Sequence, residues 1–328
     1  MLTKRQDDVL KIIVEDYIKT AQPISSKSIC DILSCSSATI RSEMSILEDY
    51  GLLLKTHISS GRIPSEKGYR YYVDNIMVPR KLTKKEVLTL QNIVNNKSMA
   101  VNDIILKSME IVSELTSYAA VVLGSHSKDN LISKVEVVPI DENNLVAIVV
   151  TDKGNVEHKN IYIDTVVDLK DIKQTVELIN KLIIGTSLDE AGKVLEFEVK
   201  PIIGKYVKQH EILYNAFYHA FSDFASENIK TSGTKNMLMQ PEFNNVDKIR
   251  EIVNKFDDKQ MVESIKEEDN GINIYIGSEN HFDDDVTVIK TKYQVNGEEG
   301  TIALIGPKRM EYDRVITLLN YIIDNIEK

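Results

Sequence analysis

The chain has 328 residues, more than one ordinary hydrophobic core organises, so we expect two or three domains. Hydrophobic residues make up 42% and charged residues 27%, as in globular soluble proteins, and we expect neither a membrane span nor a signal peptide. With two cysteines and a net charge of −10, the composition favours a reducing cytoplasm and argues against a uniformly basic nucleic-acid binder.

Two helices are predicted at the start of the chain. Thr3 and Gln6 form a capping box, and apolar residues recur behind them at helical spacing, which predicts a helix over 4–20. Ser25 begins a second short helix, and residues 34–36 form the turn that follows it. A short helix followed by a tight turn is typical of the first half of a helix-turn-helix unit.

A third helix and a hairpin complete this unit. Ser36 or Ser37 caps the third helix, whose apolar residues share one face at i, i+4 and i+7, namely Ile40, Met44 and Leu47. Strand-like segments at 52–56 and 62–64 follow, joined through a glycine-tipped turn. The order helix, helix, turn, helix and hairpin predicts a winged helix-turn-helix domain, which we assign to residues 1–77.

The outer face of the third helix suits a DNA-reading helix. Its side chains are small or cationic, so the helix can enter the major groove, where Arg41 can bind two acceptors of a guanine. The predicted reading-helix contacts are Ser36, Ser37, Ala38, Thr39, Arg41, Ser42 and Ser45. The predicted wing contacts are Lys55, His57, Ser59, Ser60, Gly61 and Arg62. An ordinary polar surface on a small helical domain is the alternative interpretation.

The distribution of charge agrees with binding of DNA at the N-terminal end. Residues 1–81 hold 12 Lys and Arg against 10 Asp and Glu, whereas the rest of the chain holds 28 against 40. An acidic body repels phosphate and leaves the N-terminal end as the docking surface. We expect Glu43, Glu48 and Asp49 to lie away from the duplex. Three neighbouring tyrosines are expected to pack behind the wing, namely Tyr69, Tyr71 and Tyr72.

The remainder of the chain reads as an α+β arrangement. A capping box of Thr83 and Glu86 begins a helical region that extends to about residue 118. Strand patterns lie at 119–124, 133–140, 145–151 and 156–163 before a helical block, and at 272–277, 286–295 and 301–305 after it, followed by a last amphipathic helix. Strands on both sides of a helical block predict one α+β domain with an insertion near 165–230.

Catalytic and metal-binding patterns are weak. Gly185 and Gly192-Lys193 have the wrong spacing for a phosphate-binding loop, and Val194 replaces the hydroxyl that such a loop needs. The six histidines include no pair at ligand spacing, and we expect Asp283-Asp284-Asp285 to form a solvated turn. We therefore expect a protein that is not an enzyme and that needs no metal or cofactor.

Motifs at both ends of the chain resemble the HrcA family of bacterial heat-shock repressors. The N-terminal motifs are Ser37-Ala38-Thr39-Ile40-Arg41, Leu47-Glu48, His57-Ile58-Ser59-Ser60-Gly61-Arg62-Ile63-Pro64 and Gly68-Tyr69-Arg70-Tyr71-Tyr72-Val73-Asp74. The C-terminal motifs are Ile276-Gly277-Ser278-Glu279 and Gly306-Pro307-Lys308-Arg309-Met310-Glu311-Tyr312. Both sets occur in the family's order, so the resemblance covers nearly the whole chain. The chain departs from the family pattern at Ser42, Ser60, Ser65 and Lys308.

The resemblance implies a domain plan and a set of partners. The plan is a winged helix at 1–77, a GAF-like domain formed by 78–164 and 231–328, and a mainly helical dimerisation domain inserted at 165–230. The implied partners are a second copy of the chain, double-stranded DNA carrying the inverted-repeat CIRCE operator of chaperone operons, and the GroEL chaperonin. In this family GroEL keeps the repressor active until heat-unfolded proteins occupy the chaperonin.

Two other kinds of repressor stay open at this point. A winged-helix repressor could instead respond to a small molecule held in its GAF-like domain, because such domains often contain a pocket. A DeoR-like sugar-responsive repressor is a further rival, since its reading helix can look similar. That rival should carry a sugar-phosphate-binding α/β domain, which the order of strands and helices after Leu82 does not suggest.

Overall fold

The computed structural model describes residues 2–55, 61–96, 99, 101–124, 131–152, 154, 156–163, 168–206, 211–212, 214–215, 217–219, 229–267, 269–295 and 298–326. The chain divides into two compact units. The first consists of Met1–Leu123 with Lys230–Lys328, and the second is Gly124–Ile229. Within the ranges given above, no helix is long and apolar enough to cross a membrane.

The predicted winged helix-turn-helix is confirmed. Its elements are α1 (Lys4–Thr20), α2 (Ser26–Leu33), α3 (Ser37–Asp49), β1 (Leu53–Lys55), β2 (Arg62–Pro64) and α4 (Glu66–Tyr71), which continues as a π-helical turn over Tyr72–Ile76. Thr3 Oγ1 accepts a hydrogen bond from the backbone N–H of Gln6 (3.3 Å), and the Gln6 side chain accepts one from the backbone N–H of Thr3 (2.9 Å). The side chains of Ser25 and Ser36 cap α2 and α3.

The helices of this domain share one apolar core. Val9, Leu10 and Ile13 of α1 are fully buried, and so are Ile40 and Leu47 of α3. Burial of such side chains supplies roughly 1.5–3 kcal/mol each relative to an exposed position. The apolar stripe predicted for the third helix is therefore its inner face, which turns the small and cationic side chains of α3 outward.

The second unit combines a sheet with helices. Three elements of the first unit precede it in the chain, namely α5 (Lys84–Val94), α6 (Val101–Thr116) and β3 (Ala119–Leu123). The elements of the second unit are β4 (Ile132–Pro139), β5 (Asn144–Thr151), β6 (Val156–Tyr162), α7 (Leu169–Ile183), α8 (Leu188–Val194) and α9 (Lys200–Tyr206). In β5 alternate residues are buried, so one face of the antiparallel sheet packs on the helices. Asn180 of α7 bonds both backbone groups of Val135 in β4, at 2.8 and 2.7 Å.

The remaining part of the first unit is built on a second sheet. Its elements are β7 (Ile229–Ser232), α10 (Thr234–Leu238), α11 (Val246–Asp257), α12 (Lys259–Glu263), β8 (Ile272–Ile276), β9 (Val286–Val295), β10 (Glu298–Pro307) and α13 (Tyr312–Ile326). The strands are ordered β7-β3-β10-β9-β8, and β10 pairs antiparallel with both β3 and β9. The apolar face of α13 is buried at Val315, Leu318, Leu319 and Ile322.

The sheet pairing differs from the predicted domain plan in one respect. We expected 119–163 to join the C-terminal strands in one domain, with the insertion at 165–230. In the structure β3 joins the C-terminal strands, whereas β4, β5 and β6 pair with one another and lie in the second unit, which begins at Gly124. Strand patterns in a sequence give the positions of strands but not their partners, so this boundary depended on pairing that the sequence does not reveal.

Candidate nucleic-acid interface

Most of the side chains predicted to read DNA lie on the outer face of α3. Ser36, Ala38, Arg41, Ser42 and Ser45 are exposed, whereas Ser37 and Thr39 are half-buried. The slim side chains stand near the N-terminal half of the helix, where a helix approaches the base edges most closely in helix-turn-helix complexes. The structure therefore brings the predicted reading residues together on one accessible surface.

Two of these hydroxyls serve the helix cap. Ser36 Oγ accepts a hydrogen bond from the backbone N–H of Thr39 (3.1 Å), and the two side-chain oxygens lie 2.9 Å apart. The hydroxyl that holds the first turn of α3 together is thus already engaged in the protein. Ala38, Arg41, Ser42 and Ser45 remain the better candidates for contact with bases.

Arg41 is held by a serine that the sequence analysis did not single out. Its Nε donates to Ser26 Oγ (3.3 Å), and the hydroxyls of Ser26 and Ser37 lie 3.0 Å apart. Ser26 begins α2, so this contact ties the side chain of α3 to the neighbouring helix. Because the contact uses Nε, a bidentate contact with guanine would use the two terminal nitrogens of Arg41.

Glu43, one of the carboxylates expected to lie away from the duplex, bonds to α1. Gln6 Nε2 donates to Glu43 Oε2 (3.1 Å), and Arg5 Nη1 lies 3.5 Å from Glu43 Oε1. The Glu43 side chain is only 13% exposed. The positive charge of Arg5 partly offsets that of the carboxylate, which weakens the repulsion that Glu43 exerts on phosphate.

The wing is fastened to the start of α2. Strands β1 and β2 pair in the register Leu53 with Pro64 and Lys55 with Arg62. Ile24 exchanges two backbone hydrogen bonds with Arg62, at 2.9 and 2.8 Å. A methyl group at Gly61 would overlap the backbone of Ile24, so glycine is needed here for close approach. Lys55 is exposed at the end of β1. The predicted wing contacts His57, Ser59 and Ser60 lie outside the described residues.

The structure does not favour the predicted phosphate contact of Arg62. Its Nη2 and Nε lie 2.7 and 2.8 Å from Glu48 Oε2, and the Arg62 side chain is only 16% exposed. Glu48 is in the last turn of α3, so the pair joins the wing to the end of the predicted reading helix. This geometry gives Arg62 the role of holding the wing against α3.

The three tyrosines after the wing pack inward, as expected. Tyr69 and Tyr72 are buried, and burial raises the pKa of both hydroxyls. The hydroxyl of Tyr71 donates to Asp7 (3.1 Å) and that of Tyr72 to Glu15 (3.3 Å), both on α1. Tyr69 and Tyr72 therefore join α4 to the core and are not available to stack on bases, whereas Tyr71 is half-buried.

A charged pocket in the first unit bears on the small-molecule alternative. It has a volume of about 350 Å³ and includes Lys248, Lys255 and Asp283 in its lining. Burial would raise the pKa of Asp283, but hydrogen bonds from both lysines hold it below its usual value. Both lysines are paired with Asp283, so they do not converge on a ligand. No group of three or more residues of metal-binding type is arranged to hold an ion in the described part of the chain.

Comparison with protein families identifies both parts of the chain. Residues 1–73 match the model described as winged helix-turn-helix transcription repressor, HrcA DNA-binding. Residues 102–316 match the model of the HrcA protein C-terminal domain. Apart from Asp74, the two matched ranges include both sets of motifs noted in the sequence.

Individual relatives give the same result. The heat-inducible transcription repressor HrcA of Bacillus pumilus (strain SAFR-032) is 37% identical over 329 aligned positions, which cover 98% of this chain and 96% of that protein. A crystal structure described as that of a hypothetical protein is similar with a TM-score of 0.70 and 24% identity, and the match covers 100% of this chain and 98% of the other. This second likeness supports the fold alone.

Proposed function

Because this chain belongs to the HrcA family of heat-inducible transcription repressors, we propose that it represses transcription by placing α3 in the major groove of duplex DNA. The observation that carries the proposal is the outer face of α3, which is exposed, slim and cationic. The wing beside it is held through Arg62, which bonds to Ile24 just before α2 and to Glu48 in the last turn of α3. A helix of this kind followed by a hairpin is a recurrent means of reading duplex DNA.

The proposed contacts follow from what each side chain can reach. Arg41 binds a guanine, Ala38 contacts a thymine methyl group, and Ser42 and Ser45 contact bases or backbone. Lys55, exposed at the end of β1, binds a phosphate. The unpredicted partner Ser26 and the ion pair of Arg62 with Glu48 orient the reading surface without touching DNA.

We propose that the chain binds as a homodimer to an inverted repeat of the CIRCE type. One reading helix covers few base pairs, and two-fold half-sites give affinity and register together. The second unit, Gly124–Ile229, is the proposed dimerisation domain, and its exposed apolar side chains support that role. They include Val138, Ile140, Val156, Tyr162 and Phe197, the last of them 72% exposed.

Control by the GroEL chaperonin is proposed from family membership. Under this proposal GroEL keeps the repressor competent in the bacterial cytoplasm, and repression of chaperone operons lapses when heat-unfolded proteins occupy GroEL. The body formed by 78–123 and 231–328 is the proposed GAF-like domain. Its antiparallel sheet with helices packed on it supports that assignment.

The experiment is selection of bound duplexes from a random pool, followed by mobility-shift titration at fixed salt. We expect one inverted-repeat sequence to emerge, bound at least about 10³-fold more tightly than random duplex. Arg41→Ala should lose affinity for this sequence, whereas Arg250→Ala, which removes an arginine that is 70% exposed on α11, should not. Equal affinity of the wild-type protein for selected and random duplexes would contradict the proposed function.

A further inference from the structure

Helix α4 of the DNA-binding domain contacts the body formed by 78–123 and 231–328. Glu66, at the start of α4, accepts from Lys308 Nζ (2.9 Å) and from Ser278 Oγ (3.0 Å). The four-residue segment that contains Ser278 also contains Gly277, where an added methyl group would overlap the Glu66 carboxylate. The surface of the body is therefore shaped around this one side chain of the DNA-binding domain.

Arg70, one turn further along α4, makes the second contact. Its Nε donates to Glu279 Oε1 (3.0 Å), and its Nη2 bonds to Glu279 Oε2 and to the backbone oxygen of Ile274. Its Nη1 donates to Asp74 (3.2 Å), which steadies the guanidinium from its own helix. A planar guanidinium that bonds in three directions fixes orientation as well as distance.

A separate attachment lies on α1. Arg309 Nη1 donates to the backbone oxygen of Ile18 near the end of α1 (3.0 Å). The same guanidinium donates from Nη2 to Gln240 (2.9 Å) and to Glu242 (3.1 Å), so the body holds it in place. Two attachments on different helices restrict rotation of the DNA-binding domain, which one flexible linker would permit.

These contacts explain motifs that DNA reading alone leaves without a role. Residues 276–279 and 306–312 are far from the DNA-binding domain in sequence and do not belong to the reading surface. In the structure they supply the partners of Glu66 and Arg70, together with Arg309. We call the contacts of Glu66 and Arg70 with Ser278, Glu279 and Lys308 the α4 interface.

We propose that the α4 interface fixes the orientation of the DNA-binding domain on the body and thereby sets the half-site spacing that the dimer accepts. This inference rests on the proposed function, because it requires a dimer that binds two half-sites. A dimer engages both half-sites only when their separation matches that of its two reading helices. Residues of the α4 interface are therefore positioning residues for operator binding, although they do not touch DNA.

The test compares full-length variants on three duplexes. These are the selected inverted repeat, the same sequence with its spacer lengthened by about half a helical turn, and a single half-site. The variants are Arg70→Met, Glu279→Gln and their combination, with Glu114→Gln as the control. Glu114 is exposed on α6, so its substitution removes a comparable charge away from both the α4 interface and the proposed dimerisation domain.

The wild-type protein should lose on the order of 10²-fold in affinity on the lengthened spacer, because it can no longer bind both half-sites at once. On the same lengthened spacer, Arg70→Met and Glu279→Gln should each lose less than about 10-fold in affinity. Their combination should lose about as much as either single variant, because both changes break the same contact. The affinity of each variant for the single half-site should stay at the wild-type value, and Glu114→Gln should match the wild-type protein on all three duplexes. Lys308→Met provides the same test if thermal melting shows that Arg70→Met does not fold.

A folded Arg70→Met protein with the wild-type spacing preference would overturn the inference. Loss of single half-site affinity in that variant would also overturn it, because a positioning role acts only between half-sites. A wild-type protein that binds no sequence in preference to another would instead refute the proposed function.

Discussion

Replacement of Arg62 by alanine separates two roles for the wing arginine. If Arg62 binds phosphate, the substitution removes a cation from the DNA interface. If it holds the wing, as its contacts of 2.7 and 2.8 Å with Glu48 indicate, the substitution loosens the wing and leaves the number of phosphate contacts unchanged. The two roles therefore predict different changes in stability and in salt dependence.

The expected loss of stability follows from the exposure of the pair. Hydrogen bonds to charged groups contribute about 1.5–3 kcal/mol when shielded, whereas exposed ion pairs contribute about 0–1 kcal/mol. Arg62 is 16% exposed and Glu48 is 33% exposed, which places the pair between these limits. We expect Arg62→Ala to lower the free energy of unfolding by about 1–2 kcal/mol.

The assays are urea unfolding and operator titration over a series of salt concentrations. Each phosphate contact contributes about 0.9 to the slope of log affinity against log salt. We expect Arg62→Ala to leave this slope unchanged, whereas Lys55→Ala, the matched change of an exposed wing cation, should lower its magnitude by about 0.9 per contact. An unfolding free energy that stays at the wild-type value, together with a lower slope in Arg62→Ala, would refute the positioning role.

Three further predictions test the reading helix, the wing and the carboxylates. Arg41→Ala should weaken operator binding by about 1–3 kcal/mol and relax discrimination at one base in competition assays; unchanged discrimination would reject its role. Gly61→Ala should destabilise the fold by about 1–3 kcal/mol in urea unfolding through overpacking, unlike Gly192→Ala, where a methyl group meets open space. Burial would raise the pKa values of Glu66 and Glu279, but hydrogen bonds hold both below the usual value. The donors to Glu66 are Lys308 and Ser278, and the donors to Glu279 are Arg70 and the backbone N–H of Ile276. The stability that these two carboxylates give the fold should be present above the usual carboxyl pKa and be lost as pH falls through the lowered values. An equally steep loss of stability in the variant with both residues changed to glutamine would contradict this.

The sequence predicts the DNA-binding domain well because its signals are local. The capping hydroxyls of Thr3, Ser25 and Ser36 mark where helices begin, and the stripe at Ile40, Met44 and Leu47 marks the buried face of α3. Caps and helical periodicity act within a few residues, so one sequence is enough to read them.

Long-range contacts explain what the sequence could not predict. Arg62 reads as a wing cation, and only the fold brings it against Glu48, fourteen positions away. Ser26 reads as a residue of the second helix, and its contact with Arg41 depends on how α2 and α3 cross. The limits of the inserted unit depended in the same way on which strands pair, since β4 could have joined either sheet by its pattern alone.

Methylation interference on the selected duplex tests most directly whether α3 lies in the major groove. Methyl groups on guanine N7 obstruct the major groove, and methyl groups on adenine N3 obstruct the minor groove. We predict that N7 methylation within each half-site prevents binding by the wild-type protein, at positions related by two-fold symmetry. Interference confined to adenine N3 would contradict the account.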